Sequence, residues 1–479
     1  MKTDIFLYNK HLFNDNTHFN SWVISPDNST DEVGQIFSPS TESTDLLIEI
    51  ANKVTSDYFF LQVKTGNISF DDANLIEWLT TTRELGSALS YCHYWQHAND
   101  EVTRHNVIEY TEGSIRDDFN VGALVLIKTS LLHEYIKNLQ EKYLYAGWYS
   151  FRLFLSRKGS IELVNNYAYS TYETDLRASG VKQFDYVNPN NRDRQIEMEK
   201  AATHHLQEIG ALVKPPFKEV NPDQEIFPAE ASVIIPVLNR EKTIADAIKS
   251  VLAQQTDFIF NLIIVNNHST DDTPKIIDSF NDRRIIHHVP QRTDLGIGGC
   301  WNEAINHEAC GKFAIQLDSD DLYLDETTLQ KIVDEFRRQR CAMVIGSYRM
   351  VNFNLEEIPP GVIDHREWSD NNGPNNALRI NGLGAPRAFF TPIIRQLQFP
   401  NVSYGEDYAV AIAISRQWKI GRIYEPIYLC RRWDNNTDSN LSIEKINQHN
   451  RYKDKLRTSE IRIRKTMSSK IVNKKSTTC

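Results

Sequence analysis

The chain has 479 residues, a length prior of about three domains, and its 41% apolar and 24% charged residues are those of a globular protein. A net charge of −10 argues against a general nucleic-acid binder. No apolar run reaches the roughly 20 residues of a membrane span, no apolar core follows Lys2 as in a signal peptide, and Cys92, Cys300, Cys310, Cys341, Cys430 and Cys479 lack the spacing of a zinc site or a disulfide framework.

Taken in order, residues 1–45 are rich in Asn, Asp, Ser and Thr and give weak strand signals. Leu46, Leu47, Ile50, Ala51 and Val54 then share one helical face. Residues 58–63 predict a buried strand, 72–83 a helix, and 89–95 another apolar segment. A strand over 121–127, a helix over 130–140, a helix-like run ending at Leu155 and a strand over 161–167 follow. Residues 194–209 predict a helix closed by Gly210. The stretch 214–228 carries four prolines and reads as an inter-domain linker.

Beyond it the alternation is cleaner. Residues 232–237 predict a strand, and Ile244, Ala247, Ile248, Val251 and Leu252 line one face of a helix. Strands over 262–265 and 285–289 and helices over 276–280 and 303–309 lead to the apolar run 313–317. That order predicts an α/β domain, a largely parallel sheet with helices on both faces. The run ends in Asp318, Asp320 and Asp321. Ligands of open α/β sheets bind beyond the carboxyl ends of their strands, and clustered carboxylates there suit Mg²⁺ or Mn²⁺. A solvated loop capping the next helix is the plainer reading, because Asp is a favoured N-cap.

Four motifs stand in order: Val-Ile-Ile-Pro-Val-Leu-Asn (233–239), Val-Asn-Asn-His-Ser-Thr-Asp-Asp-Thr (265–273), Leu-Asp-Ser-Asp-Asp (317–321) and Gly-Glu-Asp (405–407). Together they resemble the family 2 glycosyltransferases of GT-A fold, over about residues 230–445. The resemblance implies that Pro236, Leu238, Asn239 and Asn267 cradle the base and ribose of a nucleotide-sugar. It implies that Asp318 and Ser319 line the donor site, and that Asp318 and Asp320 hold the Mn²⁺ or Mg²⁺ that neutralises the departing diphosphate. Asp407 would be the general base in an inverting displacement. Arg292 is weighed as a diphosphate contact against a surface pair with Asp294, and Gly296, Gly298 and Gly299 as a phosphate turn against a packing turn. Glu406 and Trp433 are acceptor candidates; a helix cap and a solvated loop are their plainer readings. Two departures stand out: the family usually has two aspartates where this chain has Asn266-Asn267, and no late histidine ligand is evident, Asp434 lying in its region.

The first half can be laid on the second. Residues 59–67 align with 313–321 at a shift of 254, and Gly147-Trp148-Tyr149 with Glu406-Asp407-Tyr408 at 259. The expectation is two tandem GT-A-like domains: 1–213 degenerate and catalytically silent, with Lys64, Gly66 and Trp148 in place of the acids and with no obvious first nucleotide strand. A linker at 214–229, a catalytic domain at 230–445 and a basic tail at 446–479 complete the division. Residues 451–479 hold ten basic side chains against two acidic ones, a net +8, which would attract anionic lipid or stand as a solvated end. The expected activity is hexosyl or N-acetylhexosaminyl transfer to a glycan, lipid-linked or protein acceptor in polysaccharide synthesis, by a cytoplasmic protein with peripheral contact at the inner face of the membrane and a capacity to form homo-oligomers. The competing reading is a non-catalytic nucleotide-sugar or glycan scaffold. Nucleotidyl transfer would need a Gly-rich basic loop after the first strand, which Pro236-Val-Leu-Asn239 is not.

Overall fold

The computed structural model describes residues 2–8, 18–25, 35–38, 40, 42–98, 101–172, 191–223, 226–366, 371–432 and 441–476. The chain forms two units: Met1–Ala178 with Arg192–Leu212 and Leu441–Cys479, and Ser179–Asn191 with Val213–Asn440.

The first unit opens with three strands, β1 (Thr3–Leu7), β2 (Phe19–Ser25) and β3 (Gln35–Phe37). Helix α1 (Thr44–Lys53) follows, its first turn capped by Ser43 Oγ on the Leu46 N–H. Then come β4 (Tyr58–Gln62), β5 (Ile68–Phe70) and α2 (Asp72–Leu85), the last capped by Asp71 and closed by Gly86 at φ 65°. Strands β6 (Leu89–Ala98), β7 (Glu101–His105) and β8 (Leu124–Lys128), helices α3 (Thr129–Lys137) and α4 (Gly147–Lys158), strand β9 (Ile161–Tyr172) and helix α5 (Arg192–Glu208) complete this stretch. The sheet order is β3-β2-β1-β4-β8-β6-β9-β5, with β7 on β6.

The second unit contains β10 (Ala231–Val237), α6 (Ile244–Leu252), β11 (Phe260–Asn266), α7 (Thr273–Ser279), β12 (Ile285–His288) and α8 (Ile297–Asn306). It continues through β13 (Phe313–Gln316), β14 (Leu322–Tyr323), α9 (Thr328–Gln339), β15 (Met343–Val351) and β16 (Glu357–Ile363). Strand β17 (Arg387–Phe390), helices α10 (Thr391–Leu397) and α11 (Glu406–Ser415) and strand β18 (Ile420–Arg431) close it. Its order is β12-β11-β10-β13-β17-β15-β18-β14, with β16 on β15. Strand for strand, this repeats the first sheet. In both, the first four strands of that order run parallel and the next is antiparallel. Three of the parallel strands are buried on both faces: Val233 to Ile235, Leu262 to Val265 and Phe313 to Ile315 are fully enclosed. Each large aliphatic side chain so buried contributes about 1.5–3 kcal/mol.

Several expectations need correction. The weak signals in residues 1–45 conceal three parallel strands, so the first unit does have a strand at the nucleotide-strand position. That strand is β1, five residues long and buried throughout. A run that short carries little periodicity. The repeat register is also off by one at β4: Tyr58 pairs with Lys128 as Phe313 pairs with Phe390, each just before a helix opened by threonine, giving 313 − 58 = 255. Side chains confirm this frame, since Asp4 bonds Asn20 where Ser232 bonds Asn261.

The stretch read as a linker lies along the second unit, Lys218 donating its N–H to Gln417 O and Val220 to Arg340 O. Nor is the C-terminal stretch a tail. It is a helix, Ile443–Ser476, belonging to the first unit. Buried Asp454 takes Arg116 Nε at 3.2 Å and Arg457 Nη1 at 2.9 Å, and Glu460 takes Arg464 Nε at 2.7 Å. Gly113 lets the helix approach so closely that a Cβ there would lie 2.1 Å from Asp454 O. Lys453, Arg457 and Arg464 are buried, and Arg462 and Lys465 are tied to Glu112, so much of the apparent basic patch serves internal packing. Composition could not distinguish cations that hold a helix from cations that face water.

Candidate active site

At the carboxyl end of β10, Leu238 is half exposed and Asn239 takes a left-handed φ of 54°. Asn239 is fixed there by hydrogen bonds to the next crossover: its N–H donates to Ser269 Oγ at 2.9 Å and its Oδ1 accepts the Thr270 N–H at 2.8 Å. Pro236 sits within β10 opposite Val265. The Asn266-Asn267 pair has divided roles. Asn266 is buried and structural, accepting the Ser269 N–H and meeting His287 Nε2 at 3.1 Å. Asn267 gives its amide to Leu295 O at 2.9 Å, while its Oδ1 is buried with no partner among the described residues. An orphaned acceptor of this kind costs about 1–3 kcal/mol unless a ligand donor meets it.

The acidic end of β13 is also divided. Asp318 receives Gln316 Nε2 at 2.9 Å on Oδ1, and its N–H donates to Tyr428 Oη at 3.1 Å. Burial pushes its carboxyl up, the Arg387 cation pulls it down, and the Asp320 and Asp407 charges raise it further. Asp320 lies near Arg240, whose Nε is 4.0 Å from Oδ2. Asp321 points inward, accepting the Arg431 N–H at 2.8 Å; burial and its two neighbours hold its carboxyl well above the usual range. Arg431 also donates to Asp320 O and pairs with Asp246 at 3.2 Å. Ser319 is buried.

Helix α11 supplies the second carboxylate pair. Gly405 turns the chain at φ 77°, and Asp407 Oδ1 accepts the Tyr408 N–H at 2.7 Å. Asp407 Oδ2 lies 3.1 Å from Nη1 of Arg387, a residue the motifs did not single out. Arg387 reaches the acidic loop as well: its N–H donates to Gln316 Oε1 at 3.0 Å, and Gln316 in turn holds Asp318. Glu406 is 9% exposed, its Oε2 has no partner among the described residues, and burial followed by the Asp407 charge pushes its carboxyl up to about 8.

Asp318, Arg387, Glu406 and Asp407 are therefore electrostatic neighbours, brought together from three elements. Among the described residues no group of three or more His, Cys, Asp or Glu is arranged to hold an ion alone. Mg²⁺ normally needs only one or two carboxylates plus phosphate oxygens. Asp318 and Asp320, hard oxygen donors that repel each other, fit that requirement.

Other candidates fall elsewhere. Arg292 forms a fork with Asp294 at 2.9 and 2.7 Å, both side chains more than half exposed, which is the surface-pair reading. The three glycines serve packing: a Cβ on Gly296 would meet Val402 C at 2.6 Å, on Gly298 Pro400 O at 1.9 Å, and on Gly299 Asn401 Oδ1 at 2.3 Å. Trp433 and Asp434 lie outside the described residues.

The same positions in the first unit hold different chemistry. Continuing the β4 register puts Leu61 at the place of Gln316 and Val63 at that of Asp318. Val125, three residues before Lys128, stands where Arg387 stands three before Phe390. Gly147 and Trp148 take the places of Glu406 and Asp407, since 161 − 147 and 420 − 406 both equal 14 from paired strand starts. Lys64 thus falls one place past the Asp318 position. It donates to Asn120 Oδ1 at 2.7 Å. What is retained is structural: Tyr149 donates to Ile115 O as Tyr408 does to Ala377 O.

Residues 232–396 match the family model described as Glycosyl transferase family 2. A UDP-Glc:alpha-D-GlcNAc-diphosphoundecaprenol beta-1,3-glucosyltransferase of Escherichia coli is 27% identical over 196 residues, 40% of this chain and 72% of that protein. A GalNAc(5)-diNAcBac-PP-undecaprenol beta-1,3-glucosyltransferase of Campylobacter jejuni is 34% identical over 106 residues, 21% of this chain and 33% of that one. An uncharacterized glycosyltransferase of Rickettsia felis is 30% identical, the match spanning 32% of its length. Among solved structures, S. aureus TarS 1–349 in complex with UDP-GlcNAc is 18% identical with a TM-score of 0.38, covering 49% of this chain and 72% of that one. A likeness that distant says nothing about activity.

Proposed function

We propose that this chain, whose second unit is a family 2 glycosyltransferase, moves a sugar from a nucleotide-sugar donor to a hydroxyl of a lipid-linked saccharide, with inversion at the anomeric carbon. The observation that carries the reading is the contact of Arg387 with Asp407 at 3.1 Å, which sets a carboxylate at the start of α11 beside the acidic end of β13. Asp407 takes the proton of the acceptor hydroxyl. The oxygen then bonds to the anomeric carbon as the bond to the diphosphate breaks, and that electron pair leaves with the diphosphate. Asn267 Oδ1 offers an acceptor to an N–H on the edge of the nucleotide base, and Leu238 an apolar face to the base.

Asp318 and Asp320 would hold Mn²⁺ or Mg²⁺, which when bound supplies charge neutralisation for the diphosphate. The lipid-linked acceptor class rests on the printed names of the E. coli and C. jejuni relatives. No helix among the described residues is long and apolar enough to cross a membrane. The first unit is catalytically silent in this reading, because Val63, Val125 and Trp148 can neither ligate a cation nor accept a proton.

Transfer and donor binding measured over UDP-, GDP- and dTDP-sugars, with Mn²⁺ and with chelator, test the reading. At least one donor is expected to bind and react with Mn²⁺, and Asp407→Asn to keep binding while losing transfer. Failure of every donor to bind in Mn²⁺ would sink it.

A further inference from the structure

We propose that Arg387 is a positioning residue for the transfer reaction, its guanidinium aiming the Asp407 carboxylate at the acceptor hydroxyl and coupling it to the Asp318 loop. This rests on the reading of Asp407 as the base. The contacts run in both directions from one residue. Nη1 meets Asp407 Oδ2 at 3.1 Å and Gly384 O at 2.6 Å, and the main-chain N–H donates to Gln316 Oε1 at 3.0 Å. Gln316 passes the connection to Asp318 Oδ1 at 2.9 Å. Asp407 is held at both oxygens, by Arg387 on Oδ2 and by the Tyr408 N–H on Oδ1.

The pair is mostly withdrawn from water, with Arg387 17% and Asp407 28% exposed. Removing charges from water costs more than a hydrophobic pair at the same place would, so fold stability alone does not account for it. The first unit provides an internal control. It builds the same nine-stranded order with Val125 at the Arg387 position, so the fold does not require a cation there. The tyrosine that anchors the following helix, by contrast, is kept in both units. Guanidinium and carboxylate are present together in one unit and absent together from the other. That is the pattern of two parts of one device.

The test uses the full chain with Mn²⁺ and the donor selected from UDP-glucose, UDP-GlcNAc and GDP-mannose. It reads kcat for transfer, the donor dissociation constant, and the cycle formed by Arg387→Gln, Asp407→Asn and the double variant. Loss of aim costs about 100-fold in kcat, with donor affinity expected within about threefold of wild type, a change of under 1 kcal/mol. Arg387→Lys, keeping the charge without the planar fork, is expected to recover about tenfold of that loss. The double variant is expected to be no slower than Asp407→Asn alone, as groups acting as a unit behave. Near wild-type kcat in Arg387→Gln, a loss of donor affinity matching the loss of rate, or multiplying effects in the double variant would each overturn the proposal. Where Arg387→Gln fails to fold, Arg387→Lys decides: a fall in kcat at unchanged donor affinity supports the role, and an unchanged kcat overturns it. Active Asp407→Asn removes the base reading itself; dead Asp407→Asn beside active Arg387→Gln removes this inference alone.

Discussion

The two units share every strand of their sheets and almost nothing of their polar chemistry. At one strand end and one helix start the second unit places Gln316, Asp318, Arg387, Glu406 and Asp407; the first places Leu61, Val63, Val125, Gly147 and Trp148. In the second unit this produces buried charges that perturb one another. In the first it extends the apolar core, with Val125 fully enclosed and Trp148 packed edge-on to Phe151. Buried charge in the first unit lies at other places, among them the packing of the C-terminal helix, where Asp454 meets Arg116 and Arg457. One topology therefore supports either a reactive strand end or a sealed one, and the choice lies in a few side chains that the sheet does not need.

The strongest way to break this comparison is to exchange the consequences. Asp407→Asn is expected to cut transfer by about 10²- to 10⁴-fold, while Lys64→Ala, next to the first unit's counterpart of Asp318, leaves the rate unchanged; a dead but folded Lys64→Ala would end the silent-unit reading. Next comes Asp454→Ala, which removes the buried carboxylate shared by Arg116 and Arg457 and costs the first unit about 3–5 kcal/mol. Limited proteolysis should then open the first unit at lower denaturant than the second. Equal sensitivity of both units would count against the division.

Opposite pH dependence sharpens the comparison further. In the first unit burial, with Lys64 adding to it, lowers His105 to about 4, and burial with Arg157 lowers His205 to about 3. Folded protein therefore binds fewer protons than unfolded protein below the ordinary histidine value of 6.5, and stability falls as pH drops from 6.5 toward 4. In the second unit Glu406 behaves in the other sense. Its folded value of about 8 exceeds the unfolded 4.5, so stability falls as pH rises between them. Denaturant titrations at about pH 5, 6.5 and 8, on either side of the histidine range, should show the two slopes with opposite signs, and Glu406→Gln should flatten the second. The smallest expected effect is at helix starts. Ser43→Ala removes the α1 cap and costs about 1 kcal/mol; at the matching helix of the second unit the cap position is Gly296, which has no side-chain cap to lose.

The alternating second half was legible because β10 and β11 are seven residues long, apolar and almost wholly buried, and helical patterns separate the runs, so that each announces itself. The start of the first unit was not, because β1 has five residues between polar segments. The one-residue slip at β4 had a related cause: Phe59, Phe60 and Leu61 are all buried, and an apolar run offers no alternation to fix its frame. Of the site, the acids were readable as motifs. Arg387 was not, since a single cation opening an apolar strand gives no local sign of what it faces. Gly296, Gly298 and Gly299 left two readings open for the same reason: most of the close neighbours that leave them no room for a side chain come from residues 400–403.

The amino-acid sequence by itself determined the tandem α/β plan and the acidic strand end, because periodicity and short-range composition are local properties. Tertiary structure alone decided which acids face the site and which, like Asp321, face inward to serve the fold. It also decided that the basic C-terminus is a structural helix of the first unit and that a guanidinium joins Asp407 to the strand end. Those outcomes depend on contacts between residues far apart in the chain, where burial and distance set the charge of each group and no spacing along the sequence records them.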